Sequence, residues 1–213
     1  KSRMTPSPIV ASPQTNYNEA LRLMQQNNIK SLPVINKNGT MVGIVTQGDM
    51  LRAEPSPVTT LSMFEMASLL EKVTMDKIMS SPVMAIDENC SITNAASFML
   101  ENDIDCLPVM SGDELVGIIT ETDLFKIFLD LMGARDEGIR VSALVPDKIG
   151  GLAALAKAIA EVGGSFVSFG QSIGEDMNNR EVTFKVTGID QETVAKAIKP
   201  FVEEIEDIRA SHS

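Results

Sequence analysis

Tryptophan is absent from this chain, and tyrosine, histidine and cysteine number one, one and two. Cys90 and Cys106 have no metal-type spacing. They form neither a disulfide framework nor a thiolate cluster, and read as small buried side chains of a reduced, cytoplasmic protein. The one histidine, His212, lies in the tail. No Cys/His cluster, Gly-x-Ser-x-Gly turn or phosphate-binding glycine loop is present, so neither a catalytic residue nor a metal site is assigned. Positive charge is also scarce, with 18 Lys and Arg against 29 Asp and Glu, a net charge of −11. Such a chain is repelled by nucleic acid and by anionic membranes, although a local basic spot can still hold one phosphate. No apolar run approaches the ~20 residues of a membrane span, and no signal peptide is visible. Apolar residues make up 44% of the chain, enough for a real core in one or two domains.

What the sequence does hold is a repeat. "GIVTQGDM" from Gly43 is answered by "GIITETDL" from Gly117, and "NNIKSLPVI" from Asn27 by "NDIDCLPVM" from Asn102. The offset is 75 residues before the intervening loop and 74 after it. Upstream, Tyr17, Ala20, Leu21 and Met24 share one helical face, as do Ile92, Ala95, Ala96 and Met99. Asn38-Gly39 is a hairpin signal. Each copy reads as strand, helix, strand, turn, strand, helix. The first strands are expected near Ile9 and Val83 and the last helices near Asp49 and Asp123, the first of these stopped by Pro55. Between the copies, Met63, Met66, Leu69 and Leu70 give a linker helix its apolar side.

Thr-x-x-Asp at a strand-to-helix junction has a definite chemistry. A helix start offers free N–H groups and partial positive charge. The Thr hydroxyl can donate to a phosphate, and the carboxylate can accept from a ribose diol. The plainer role is local: Thr46, Asp49, Thr120 and Asp123 cap their helices. Both roles fit the motif.

The strings "SLPVINKNGTMVGIVTQGD" and "CLPVMSGDELVGIITETD", with the openings "MTPSPIV" and "IMSSPVMAI", resemble the cystathionine-β-synthase (CBS) domain. Residues 1–54 are expected as repeat 1, 55–77 as linker and helix, and 78–135 as repeat 2. The Ser-Pro linker and Leu-rich helix resemble the acetoin-utilisation (AcuB-type) proteins. The resemblance implies an α+β fold of βαββα repeats and two clefts, each mixing both copies. One joins Thr46, Gly48 and Asp49 with Met84, Ile104, Asp105 and Cys106. The other joins Thr120, Thr122 and Asp123 with Thr5, Val10, Ile29, Lys30 and Ser31. The implied ligand is an adenine nucleotide (AMP, ADP or ATP) acting as a regulator rather than a required cofactor. S-adenosylmethionine and NAD fit the same contacts. The second cleft ranks higher, because Thr122 adds a donor where the first has Gly48, and Lys30 stands where the first has Asp105.

From residue 136 the pattern changes to an expected βαββαβ order, ferredoxin-like. "IRVSALV", "SFVSFGQSI" and "EVTFKVTG" read as strands, and "EIEDIRA" as a last one. A turn is expected at "DMNNR". Leu152, Leu155, Ala156 and Ile159 mark one helix face. This segment, 136–213, resembles an ACT domain. A ligand site there would use Asp147, Ile149, Gly150 and Leu152, with Ile149 standing where that family usually has Pro. The expected function is a non-catalytic allosteric sensor in cytoplasmic metabolism, homodimeric, with a metabolic enzyme as a further partner. The alternative is a scaffold that dimerises with its sites empty.

Overall fold

The computed structural model describes residues 3–55, 62–175 and 177–211. His212, Asp176 of the expected turn and most of the Ser-Pro linker lie outside the described residues, as does the side chain of Met63. The chain divides into two compact units, Lys1–Leu124 and Phe125–Ser213.

The first unit contains both repeats. In order its elements are β1 (Thr5–Pro6), α1 (Tyr17–Asn27), β2 (Ser31–Ile35), β3 (Met41–Thr46), α2 (Gln47–Ala53), α3 (Met63–Glu71), α4 (Met75–Ile78), β4 (Ile86–Asp87), α5 (Ile92–Asn102), β5 (Cys106–Ser111), β6 (Glu114–Thr120) and the start of α6 (Glu121–Leu131). Helix α1 is entered through Asn16, which accepts from Glu19 N, and α5 through Ser91, which accepts from Asn94 N. Both end on a left-handed residue, Asn28 and Asp103. Helices α2 and α6 start two residues earlier than expected, directly after Thr46 and Thr120. Helix α2 ends at Ala53, two residues before Pro55.

Strands β2 and β3 form one antiparallel hairpin, β5 and β6 the other. The expected first strands at Ile9 and Val83 pair slightly later. Ala11 bridges Val34 in parallel, and β4 pairs parallel with β5 at Ile86↔Val109. The residues before them cross over. Thr5 pairs with Ile118 of repeat 2, and Ser80 pairs with Ile44 of repeat 1. Each opening segment therefore completes the other repeat's sheet. The glycine of each repeated motif makes room for this: a Cβ on Gly43 would collide with Met79 Sδ, and one on Gly117 with Met4 Sδ.

Each repeat has its own apolar cluster. One is built on Tyr17, Ala20, Met24, Leu32, Val34 and Val45, the other on Ala95, Met99, Leu107, Val109 and Ile119. Ile44, Cys106 and Ile118 are buried together where the repeats meet. Ile92, expected on the α5 stripe, is exposed at the first turn of that helix. On α3, Met66 and Leu70 are half-buried, while Leu69 faces solvent. The Tyr17 hydroxyl donates to Glu54 Oε1 at 2.6 Å, tying α1 to the end of α2.

The second unit comprises the rest of α6, then β7 (Gly138–Pro146), α7 (Gly151–Glu161), β8 (Ser165–Ile173), β9 (Asn179–Thr187), α8 (Gln191–Ile198), a short 3-10 turn at Lys199–Phe201 and β10 (Glu204–Ser211). This is the expected βαββαβ order. The sheet runs β10-β7-β9-β8, every neighbour antiparallel. Val141, Phe184, Leu155, Ile159, Val194 and Ile198 are buried between helices and sheet. On α7 the buried stripe is Leu155 and Ile159. Leu152 and Ala156, expected beside them, are exposed, so the apolar face is rotated toward Ala154 and Ala158. Lys185 is only 3% exposed. Its ammonium donates to the carbonyls of Gly133 and Asp136, both at 2.7 Å, and to Ser211 Oγ at 3.1 Å. A buried charge is tolerable only with this degree of pairing.

Candidate functional site

The strand-to-helix junctions of the two repeats are built alike. Thr46 is the N-cap of α2 and forms a reciprocal capping box with Asp49. Asp49 Oδ2 accepts from Thr46 N at 2.8 Å and from Thr46 Oγ1 at 2.7 Å, and Thr46 Oγ1 accepts from Asp49 N at 3.2 Å. The second junction repeats all three bonds: Asp123 Oδ2 with Thr120 N at 3.0 Å and Thr120 Oγ1 at 2.7 Å, and Thr120 Oγ1 with Asp123 N at 3.2 Å. The hydroxyl proton of each Thr is thus given to its own Asp. A ligand phosphate takes that proton only by rotating the hydroxyl away. Asp49 is buried, and its Oδ1 accepts from the guanidinium of Arg52, itself mostly exposed.

Around the first junction lies a cavity of about 430 Å³. Its walls are Thr46, Asp49, Arg52, Ser80, Asp103, Ile104, Asp105 and Glu121. The junction of repeat 1 therefore faces the strand entry of repeat 2, and the volume lies in the range of small-molecule pockets. Of the residues expected in this cleft, Thr46, Asp49, Ile104 and Asp105 line the cavity together. Gly48 is exposed on the first turn of α2, and Met84 is exposed. Cys106 is buried, and its thiol donates to Ser31 Oγ at 3.1 Å. Burial pushes the Cys106 thiol up to about 11. That bond joins two residues expected in different clefts, so the clefts adjoin through it.

Sequence reasoning missed Arg52, Ser80, Asp103 and Glu121. Asp103 and Glu121 were detectable, since both lie within the repeated strings that begin at Asn102 and Gly117. Ser80 comes in only through the crossover of the opening segments, and that exchange leaves no local signal.

For the second cleft, Thr5 lies on β1 beside Ile118, Ile29 is half-buried, Lys30, Val10 and Thr122 are exposed, and Ser31 is buried. Gln47 N donates to Lys30 O at 2.8 Å, as Glu121 N donates to Asp105 O at 3.0 Å.

In the C-terminal unit, Asp147 pairs with Arg180 at 2.6 Å. Gly150 precedes α7 with φ +82°, a conformation that favours glycine. Ile149 and Leu152 are exposed. Among the described residues, no group of three or more His, Cys, Asp or Glu side chains is placed to hold a metal ion. Among those residues, too, no helix is long and apolar enough to cross a membrane.

The CBS-domain family model matches residues 1–56 and 75–130. MJ1404, an uncharacterized protein of Methanocaldococcus jannaschii, is 34% identical over 133 residues, which cover 60% of this chain and 31% of that protein. The chain thus spans about a third of that relative's length. Among solved structures, a Vibrio cholerae protein named for acetoin utilization (AcuB) is 30% identical with a TM-score of 0.52, covering 62% of this chain and 90% of that one. CBSX2 in complex with AMP is 27% identical with a TM-score of 0.50, covering 60% of this chain and 93% of that one.

Proposed function

The chain belongs to the CBS-domain family, and from that premise we propose that it is a non-catalytic regulatory protein whose CBS pair binds an adenine nucleotide. The carrying observation is the mixed cleft. Thr46 and Asp49 of one repeat face Ile104 and Asp105 of the other across one cavity. Such a cleft offers a ribose acceptor and an apolar wall for a base within a single small volume. The solved relative with AMP supports this ligand class. The likeness to AcuB supports a role in acetoin or related carbon metabolism. The βαββαβ unit is read as an ACT domain that dimerises the protein and relays or integrates a second signal. Its small-ligand site would lie at Asp147, Ile149, Gly150 and Leu152. A metabolic enzyme is the regulated partner.

Calorimetry with AMP, ADP and ATP tests the central claim. A ligand at 100 times its dissociation constant adds about 2.7 kcal/mol to native stability, so the melting temperature should rise with it. Asp123→Ala should weaken binding more than Asp49→Ala. A monomer in sedimentation at micromolar concentration would remove the dimer.

A second reading has an observation of its own. In both motifs Thr and Asp already satisfy each other. A scaffold protein would need nothing more from them, and flat titrations with all three nucleotides would favour it.

A further inference from the structure

The two clefts are related by the repeat, yet their charged linings are not alike. Around Thr46 and Asp49 stand Asp103, Asp105 and Glu121. The repeat offset matches these three to Asn28, Lys30 and Gln47, the residues that the same layout assigns to the cleft of Thr120 and Asp123. The backbone bears out the match. Asn28 and Asp103 are both left-handed, at φ 51° and 53°. The Gln47-to-Lys30 and Glu121-to-Asp105 hydrogen bonds are the same bond in the two copies. At the sequence level Arg52 is matched by Lys126, so the repeat itself adds no difference in cations. Three carboxylates in one cleft thus face one ammonium and two amides in the other. All six positions are exposed, so the difference is not imposed by the core.

A difference of four charges is large for an anionic ligand. Two unit charges about 8 Å apart in water shift an equilibrium by roughly two- to threefold, so four amount to tens of fold per phosphate charge at low salt. Salt shrinks the effect as the screening length shortens. Thr122 adds a hydroxyl where the acidic cleft has Gly48. The acidic cleft nevertheless keeps its Asp49, its Ile104 wall and its cavity. The adenosine-recognising parts remain, while the surroundings reject phosphate.

We propose that the two clefts sort adenosine ligands by charge. The cleft of Thr120 and Asp123 takes a phosphorylated adenosine. The cleft of Thr46 and Asp49 takes an adenosine compound without phosphate, either uncharged or carrying a cationic group such as a sulfonium. This rests on the nucleotide reading above and adds the ligand class of each cleft.

The test is calorimetry on the full chain with AMP, Mg-ATP, adenosine and S-adenosylmethionine as probes. The expected result is one tight AMP site per chain, with adenosine or S-adenosylmethionine still binding when AMP is saturating. Asp105→Lys should raise AMP affinity at the cleft of Thr46 and Asp49 at least tenfold. Lys30→Asp should lower it at the cleft of Thr120 and Asp123 at least tenfold. Both changes are on the surface, and thermal melts of the variants verify folding. Equal AMP affinity at two sites, equally tight Mg-ATP at both, or silent charge swaps with AMP still bound would overturn the sorting and leave the nucleotide reading standing. Binding by none of the four probes would remove that reading and the sorting together.

Discussion

Replacing Asp49 by alanine removes one carboxylate that organises an entire strand-to-helix junction. Three hydrogen bonds go with it, from Thr46 N, Thr46 Oγ1 and Arg52. The Arg52 contact contributes little, because that side chain is 74% exposed and a solvated ion pair is worth about 0–1 kcal/mol. The Thr46 contacts are partly buried and made to a charged acceptor, where a hydrogen bond contributes about 1.5–3 kcal/mol. The helix also loses half of its capping box, with a cost of the same order. The expected loss is about 2–3 kcal/mol. For a unit of this size that lowers the melting temperature by about 10 °C. Asp49→Asn keeps an acceptor without the charge and should lose about 1 kcal/mol. Arg52→Ala should lose less than that. Urea unfolding of the three variants, followed by circular dichroism, gives all three values. If Asp49→Ala costs no more than Arg52→Ala, the capping box is not what secures the junction.

Further expectations come from buried groups. The Cys106 thiol, pushed up to about 11 by burial from an ordinary value of 9.0, keeps its proton in the native state where the unfolded chain has lost it. Its contribution is therefore complete below pH 9 and is lost as pH rises toward 11, by about 2–3 kcal/mol in all. Cys106→Ala should flatten that part of the stability profile, and an unchanged slope in urea titrations between pH 8 and 10.5 would count against it. Lys185→Met leaves the carbonyls of Gly133 and Asp136 without their cation. It should destabilise the C-terminal unit by about 2–4 kcal/mol in denaturant melts and leave AMP binding unchanged. Gly43→Ala drives a methyl into Met79, an overpacking of about 1–3 kcal/mol. The double variant with Met79→Ala should recover most of that loss in thermal melts, and failure to recover would mean the glycine serves its backbone instead.

Much of the fold was legible because the same pattern is written twice. The stripes of Tyr17, Ala20 and Met24 and of Ala95 and Met99 are buried as their spacing implies. Stripe edges were less readable. Ile92, Leu152 and Ala156 share a helical period with core residues but sit where their helices turn outward. Periodicity fixes a face to within a residue or so, and packing chooses the rest. Half of the first cleft's lining came from the repeated motif and its offset partner. Of the remainder, Asp103 and Glu121 also sit in the repeated strings, whereas Ser80 arrives through a pairing of distant segments and Arg52 by reaching back along α2 to Asp49. The role of Gly43 and Gly117 was hidden for the same reason, since the methionines they accommodate belong to the other repeat's opening segment.

That exchange of opening segments bears on how such a chain arises. Thr5 closes against β6 and Ser80 against β3, so neither repeat owns a complete sheet. A single-copy ancestor of this layout would have found its missing edge only on a second molecule, in a twofold pair. Joining two such copies would turn that association into an intramolecular one, at an effective concentration on the order of millimolar. It would also release the halves from identity. In a symmetric pair of single repeats the residue at Lys30 and the residue at Asp105 would have to be the same, and only on one chain are they free to carry opposite charge.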